Sequence, residues 1–271
     1  MFKKTMYTVS IALLVLVSAS VAHEPDPFLD RVHSSGRTEF ELEKLWTGVQ
    51  FGSGGGNVST VLESVEYMSM VTGAGQQNIE FGSGDGSIWN SIPARASANV
   101  FNYSVSDQFI STTNAIPSSL SPGAYSGLSV GSFVYTIEAE NITTIDLKMG
   151  GGQIASTTIR GRAQGEAQVM SSFALYDEQD PLFPVLLDSD TRSLSAQLNR
   201  PGTIIRRWYG DFNVGYEFAQ PFSGTLVLTG GFSNFSTGTV PYAAAPEPTL
   251  IISLGASLIG LFALRKKREE C

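Results

Sequence analysis

Cysteine and histidine are nearly absent from this 271-residue chain: Cys271 is the single thiol, and His23 and His33 are the two imidazoles. With one cysteine there is no disulfide framework, and any folded part away from Cys271 has no thiol nucleophile. Two histidines, both near the amino end, argue against a catalytic zinc site, since zinc is held mainly by His and Cys. Charge is also sparse, at 15% of residues, and basic charge is the scarcer sign, with 17 Lys and Arg against 25 Asp and Glu. Over residues 23–245 the imbalance sharpens to 11 against 22, a net charge of −11. Nucleic acid or an anionic lipid surface would need a basic stripe, so the charge argues against both as partners. Between the two ends the chain has no long apolar run and no sustained helical period. About 200 residues without disulfides must be held by their own core, which a chain of that length can build.

The ends supply what the middle lacks. Lys3 and Lys4, an apolar stretch from Val9 to Val17 and the small-x-small triplet Ser20-Val21-Ala22 read as a secretory signal over residues 1–22, cleaved between Ala22 and His23. At the other end Thr249 to Leu264 is a 16-residue run without charge or proline. As a helix it reaches ~24 Å, short of a hydrocarbon core of roughly 30 Å, so it spans only with snorkelling or local thinning. Arg265, Lys266, Lys267 and Arg268 supply the snorkelling stems and hold the carboxyl end in the cytoplasm. Thr249, Ser253 and Ser257 are too few to form the wet face of a core helix. Pro246 and Pro248 exclude helical geometry around Glu247, leaving an extended, stiff tripeptide at the outer membrane surface.

The tripeptide Pro246-Glu247-Pro248, the short span and the terminal Arg-Lys-Lys-Arg together resemble the PEP-CTERM sorting signal of exopolysaccharide-producing Gram-negative bacteria, also catalogued as the ice-binding protein C-terminal domain. The resemblance implies recognition by an exosortase, a membrane cysteine protease that removes the tail and passes the protein to the cell surface or matrix. Glu269, Glu270 and Cys271 follow the basic cluster, a small departure from the family pattern. The likeness covers about a tenth of the chain and says nothing of its middle.

In that middle, apolar residues recur with period two: Phe101-x-Tyr103-x-Val105, Phe133-x-Tyr135-x-Ile137, Ile145-x-Leu147-x-Met149, Val169-x-Ser171-x-Phe173-x-Leu175, Leu194-x-Ala196-x-Leu198 and Leu226-x-Leu228. Such alternation predicts half-buried strands. Glycine and proline clusters at 52–57, 82–86, 122–123, 150–152, 201–202 and 230–231 are expected to form the turns between them. The expected fold is mainly β, an antiparallel β-sandwich-like domain of jelly-roll type over 37–240. It follows a flexible lead-in over 23–36 and precedes the sorting tail over 241–271. Thr38 to Trp46 suits either a helical turn or a strand. The near-repeat Phe51-Gly-Ser-Gly-Gly-Gly and Phe81-Gly-Ser-Gly-Asp-Gly suggests two equivalent hairpin loops, because two copies do not make a solenoid.

Candidate chemistry is thin. Gly127-Leu128-Ser129-Val130-Gly131 matches a nucleophile-elbow pattern, but no histidine follows the serine, so it reads as a Gly- and Ser-rich loop. Asp177, Glu178, Asp180, Asp188 and Asp190 are weak calcium candidates in a loop-like stretch without EF-hand spacing. Trp46, Trp89 and Trp208 offer either a sugar-stacking face or core packing, with packing the expectation. Arg206-Arg207-Trp208-Tyr209 reads as an edge strand. Asn57, Asn102, Asn141 and Asn234 head Asn-x-Ser/Thr triplets, which would carry glycans only in a eukaryotic secretory route. The expected function is that of an exported surface or biofilm-matrix protein, sorted by an exosortase and held transiently in the inner membrane. Its expected role is structural or exopolysaccharide-binding, without catalytic residues or cofactor. The alternatives are a secreted polysaccharide-active enzyme with paired carboxylates and a plain single-pass anchored protein.

Overall fold

The computed structural model describes residues 30–241 other than 94, 104–107 and 180–183. The signal over 1–22, the Ala22–His23 junction, Asp180, Val105 and the tail from 242 on, with Pro246, Glu247, Pro248 and Arg265 to Arg268, lie outside the described residues. Within them the chain is mainly antiparallel β. The strands are β1 (Arg31–Phe40), β2 (Trp46–Phe51), β3 (Asn57–Gly73), β4 (Gln76–Ser83), β5 (Gly86–Ile92), β6 (Ala96–Tyr103), β7 (Gln108–Ala115), β8 (Gly123–Arg160), β9 (Gln164–Asp177), β10 (Val185–Leu198) and β11 (Gly202–Val240). One 3-10 turn, Leu42–Lys44, follows β1. Among the described residues no helix is long and apolar enough to cross a membrane.

Two strands, β8 and β11, are 38 and 39 residues long and pair with each other from Gly123↔Val240 to Ile159↔Gly202. Their length comes from glycines acting inside strands instead of between them. Gly150, Gly151 and Gly152 lie within β8, and Gly230 and Gly231 within β11, not in the turns expected of them. A methyl group on Gly230 would stand 2.0 Å from Phe133 Cζ, and one on Gly151 would stand 2.9 Å from Phe212 Cε2. Gly230 and Gly151 therefore make room for buried rings.

Near their middle both long strands turn a corner. Asn141 on β8 adopts φ 56, and the register of β11 shifts between Glu217 and Gly224. The loop Gly52–Gly56 wraps that corner: Gly52 N–H donates to Asn141 O at 2.7 Å, and Asn141 Nδ2 donates to Gly55 O at 2.5 Å. Beyond the corner the halves of β8 and β11 belong to two facing layers. The first layer runs β4, β3, β8 (first half), β11 (second half), β9, β10; the second runs β5, β6, β7, β1, β8 (second half), β11 (first half). The pattern is consistent with the sandwich-like fold expected. The near-repeat does not form equivalent hairpins. Residues 51–56 link two strands lying end to end on the same edge of β8, whereas 83–86 cross between layers from β4 to β5.

The core between the layers is built in two chemistries. Toward the corner it is aromatic: Phe40 lies 5.2 Å from Phe133 and 5.3 Å from Phe212 by ring centroids, and Phe109 lies 4.9 Å from Phe232. Each ring fully withdrawn from water contributes about 1.5–3 kcal/mol. Toward the ends of the long strands it is polar and dry. Thr38 Oγ1 donates to Asn234 Oδ1 at 2.6 Å, Asn234 Nδ2 donates to Ser111 Oγ at 2.8 Å, and Thr113 and Ser236 share a hydrogen bond of 2.7 Å. All are buried, and each is matched by a partner from the opposite layer, as dry polar groups require.

The polar half of the core explains two departures from the expected boundaries. β1 starts at Arg31, inside the expected lead-in, because its buried face reads Val32, Ser34, Gly36, Thr38, Phe40, mostly small or polar. Ser129 is in mid-strand rather than in a loop, buried and hydrogen-bonded to Ser111 of the facing layer. On β6 the inward residues are Ala96, Ala98 and Val100, and Phe101 belongs to the other face.

Candidate functional site

Ladder register places a continuous outward face on the second layer. Successive rows across it read Trp46, Lys148, Asn213; then Glu39, Gly152, Tyr209; then Trp89, Asn99, Thr112, Arg37, Ile154, Arg207. Between the first two, Glu41 N–H bonds to Gly150 O, and Asp211 pairs with Gly150 from the other side. Gly150 and Gly152 floor a shallow trough here: a Cβ on Gly152 would meet Tyr209 Cδ1 at 2.8 Å, and one on Gly150 would meet Glu41 Oε2 at 3.1 Å. Glu41, Lys44, Trp46, Lys148, Gly150 and Asp211 line a depression of about 350 Å³.

Three aromatic side chains stand on this face with their rings in water: Trp46 is 53% exposed, Tyr209 61% and Trp89 63%. The expectation of core packing therefore fails for Trp46 and Trp89. It holds in part for Trp208, which turns inward, half-buried, 4.8 Å from the Phe212 ring with the Arg192 guanidinium 5.5 Å above it. Tyr209, its neighbour on the opposite strand face, is the residue that sequence reasoning missed. The alternation Trp208-in, Tyr209-out is set by Phe212 and Val214 facing the core. Lys148 Nζ lies 5.0 Å from the Trp46 ring centroid, holding the indole down by a cation–π contact. Two of the trough carboxylates are paired, Glu39 with Arg37 at 2.8 Å and Glu41 with Lys44 at 3.4 Å, and Asp211 stands beside them without an ion pair among the described residues.

Asn99 is the one residue of this face that is buried with an unmet need. Its Nδ2 donates to Thr112 Oγ1 at 3.4 Å, and among the described residues its Oδ1 has no partner. It sits in register beside exposed Trp89.

The described calcium candidates, Asp177, Glu178, Asp188 and Asp190, do not converge. Among the described residues no three His, Cys, Asp or Glu side chains are placed to hold a metal ion. Asp177 Oδ1 accepts from Gln179 N–H, Asp188 Oδ2 from Gly215 N–H and Asp190 Oδ2 from Asn213 N–H, at 3.0, 2.8 and 3.2 Å, while Glu178 N–H donates to Thr225 O. His33 is exposed on β1. Asn102 and Asn234 are buried, so neither side chain is open to a glycan.

No family model and no curated protein matches this sequence. Solved structures found similar include the CBM22-1-CBM22-2 tandem domain from Paenibacillus barcinonensis Xyn10C, at 8% identity, covering 79% of each chain with a TM-score of 0.12. Vicilin from Corylus avellana (hazelnut) gives 6% identity over 77% of this chain and 71% of that one, TM-score 0.11. Vicilin from Solanum lycopersicum (tomato) gives 7% over 78% and 71%, TM-score 0.11. Scores this low carry no argument about fold or function.

Proposed function

We propose that this protein is a non-catalytic, polysaccharide-associated component of the cell surface or matrix. In this reading it is exported by its signal, anchored transiently in the inner membrane, and released when an exosortase cleaves at the Pro246-Glu247-Pro248 tail. The doubled sheet is then a β-sandwich of jelly-roll type, carried between a signal helix over 1–22 and a short transmembrane helix over 249–264. The observation that carries the binding role is the outward face of the second layer, where Trp46 and Tyr209 are exposed around a glycine-floored trough and Trp89 is exposed on the same face four strands away. Flat aromatic faces take up the apolar faces of sugar rings, while amide and carboxylate oxygens accept from ring hydroxyls.

Binding is favoured over hydrolysis because the trough is open and Glu39 and Glu41 are ion-paired, without the dry surroundings that raise a carboxyl group's pKa for general-acid catalysis. Affinity electrophoresis through gels containing the producing strain's exopolysaccharide tests this. Wild type is retarded and Trp46→Ala, Trp89→Ala and Tyr209→Ala migrate freely; equal migration of all four rejects the assignment. The sorting step is tested separately: alanines at 246–248 should leave the chain uncleaved in the inner membrane. Normal processing of that variant, or a surface-released protein that retains Cys271, counts against it.

A further inference from the structure

The lateral edges of the two layers are not equally finished. On the second layer, edge amides of β11 are taken by Asp188 and Asp190, and the Trp89 amide of β5 by Glu80 Oε2 at 3.3 Å. On the first layer, β10 carries a bulge between Leu186 and Asp188 and the charges Asp188, Asp190 and Arg192. Those are standard protections against edge pairing. β4, with the sequence Gln-Gln-Asn-Ile-Glu-Phe-Gly-Ser, has none of them. Among the described residues it pairs with β3 alone, without bulge, proline or basic residue, and its one charge, Glu80, is turned toward β5. Ile79 is 45% exposed and Phe81 76%.

The β3–β4 turn fixes which backbone groups are open. The loop is two residues, Ala74 at φ 50 and Gly75 at φ 75, closed by the pair Gly73↔Gln76. A hairpin of this mirror-image type closes on a hydrogen-bonded pair, and such pairs alternate along the ladder. Asn78 and Glu80 thus direct their backbone groups to β3, and Gln77, Ile79 and Phe81 direct theirs outward. Their side chains share the outer face with an apolar stripe that crosses the layer: Met68 and Met70 on β3, then Val130 and Leu128 on β8.

We infer that β4 pairs antiparallel with β4 of a second copy of this chain, about a two-fold axis at Ile79, joining two first layers into one continuous sheet. The pattern is self-complementary, as a two-fold contact requires. Ile79 meets Ile79 of the second copy as a hydrogen-bonded pair, Phe81 covers Gln77, and Glu80 faces Asn78 instead of another acid. A shift of register by two would set Glu80 against Glu80, which like charge disfavours. An acidic protein repels its own copies over most of its surface, and this edge, whose one charge is held by the Trp89 amide, is the exception. The proposal stands apart from the carbohydrate-binding face, which lies on the other layer.

The test uses the full chain in detergent with Cys271→Ser, so that an introduced thiol is the only one. Hydrogen-bonded antiparallel partners have Cα atoms about 5.5 Å apart, within disulfide range. Under mild oxidation Ile79→Cys should form a disulfide-linked dimer, and Glu80→Cys should not. Sedimentation should give a dimer for the parent and a more than tenfold weaker one for Ile79→Pro, which removes two edge N–H donors per dimer. Circular dichroism of the proline variant confirms that the fold is kept, since the ring replaces an exposed side chain. A monomeric parent, equal dimerisation of Ile79→Pro with fold intact, open-ended polymers in place of dimers, or cross-linking only to a different protein overturns the inference.

Discussion

Asp188 Oδ2 accepts the backbone N–H of Gly215 at 2.8 Å, across from one layer to the other. Two residues on, Asp190 does the same for Asn213, and at the opposite side of the molecule Glu80 does it for Trp89. A sheet that doubles back leaves edge amides facing the gap between layers. Here carboxylates from one layer take the place of a missing strand for the other. The same side chains that invite a reading as cation ligands are thus engaged with peptide N–H groups. Asp190 is further held by Arg192 at 3.0 Å.

Removing that cap should be felt in stability. Asp188→Ala leaves a part-buried amide without acceptor and should cost about 1–2 kcal/mol, whereas Asp188→Asn, which keeps an oxygen, should cost less than half of that. Urea unfolding of the two variants reads the difference. Millimolar calcium should leave the wild-type midpoint unchanged, because only a cation bound by the folded state would raise it.

The legible part of this fold was the aromatic half of the core. Phe133-x-Tyr135-x-Ile137, Ile145-x-Leu147-x-Met149, Val169 to Leu175 and Leu226-x-Leu228 alternate in the sequence and face inward in the structure. The polar half was not legible, because Ser34, Thr38, Ser111, Thr113, Asn234 and Ser236 look like surface residues until a partner from the other layer is known. Glycine misled for a related reason. Its use at Gly151, Gly152 and Gly230 is to yield space to Phe212, Tyr209 and Phe133, which no local pattern announces. On the candidate face, Trp46 and Trp89 were named by residue type alone. Tyr209 needed the register of β11.

That spatial role of glycine can be measured. Gly230→Ala would drive a methyl into the Phe133 ring, whose position is fixed by Phe40 and Tyr135. The expected loss is about 2–3 kcal/mol, the range for overpacking a close-packed core. Phe133→Leu in the same chain should give back at least ~1 kcal/mol of it, a coupling that a double-mutant cycle resolves. Additive losses would mean that the glycine serves backbone freedom instead.

The buried amide of Asn234 makes a comparable case from polar chemistry. Asn234→Ala strands Thr38 Oγ1 without its acceptor in a dry interior and takes from Ser111 Oγ one of its two partners, leaving it Ser129. The cost should be about 2–3 kcal/mol, against under ~0.5 for Thr225→Ala, whose hydroxyl meets Glu138 at the surface. Thermal denaturation of both variants side by side gives the comparison.

The corner at Asn141 separates two contributions that usually travel together. A non-glycine residue at φ 56 is strained unless its side chain compensates, and here Nδ2 reaches Ser53 O at 3.4 Å and Gly55 O at 2.5 Å, while the Asn141 amide takes Ser223 Oγ at 2.9 Å. Asn141→Gly removes the side-chain bonds but relieves the backbone, so it should cost about 1 kcal/mol. Asn141→Ala removes the same bonds and adds the left-handed penalty, for about 2 kcal/mol in total. Asn141→Val, branched at Cβ, should be worse than either. Amide exchange should localise the damage: faster exchange at Gly52 and along β2, whose anchor is the corner, with the distant β9–β10 pair unaffected. Equal losses for Gly and Ala would show that the side-chain bonds, not the backbone conformation, fix asparagine at this position.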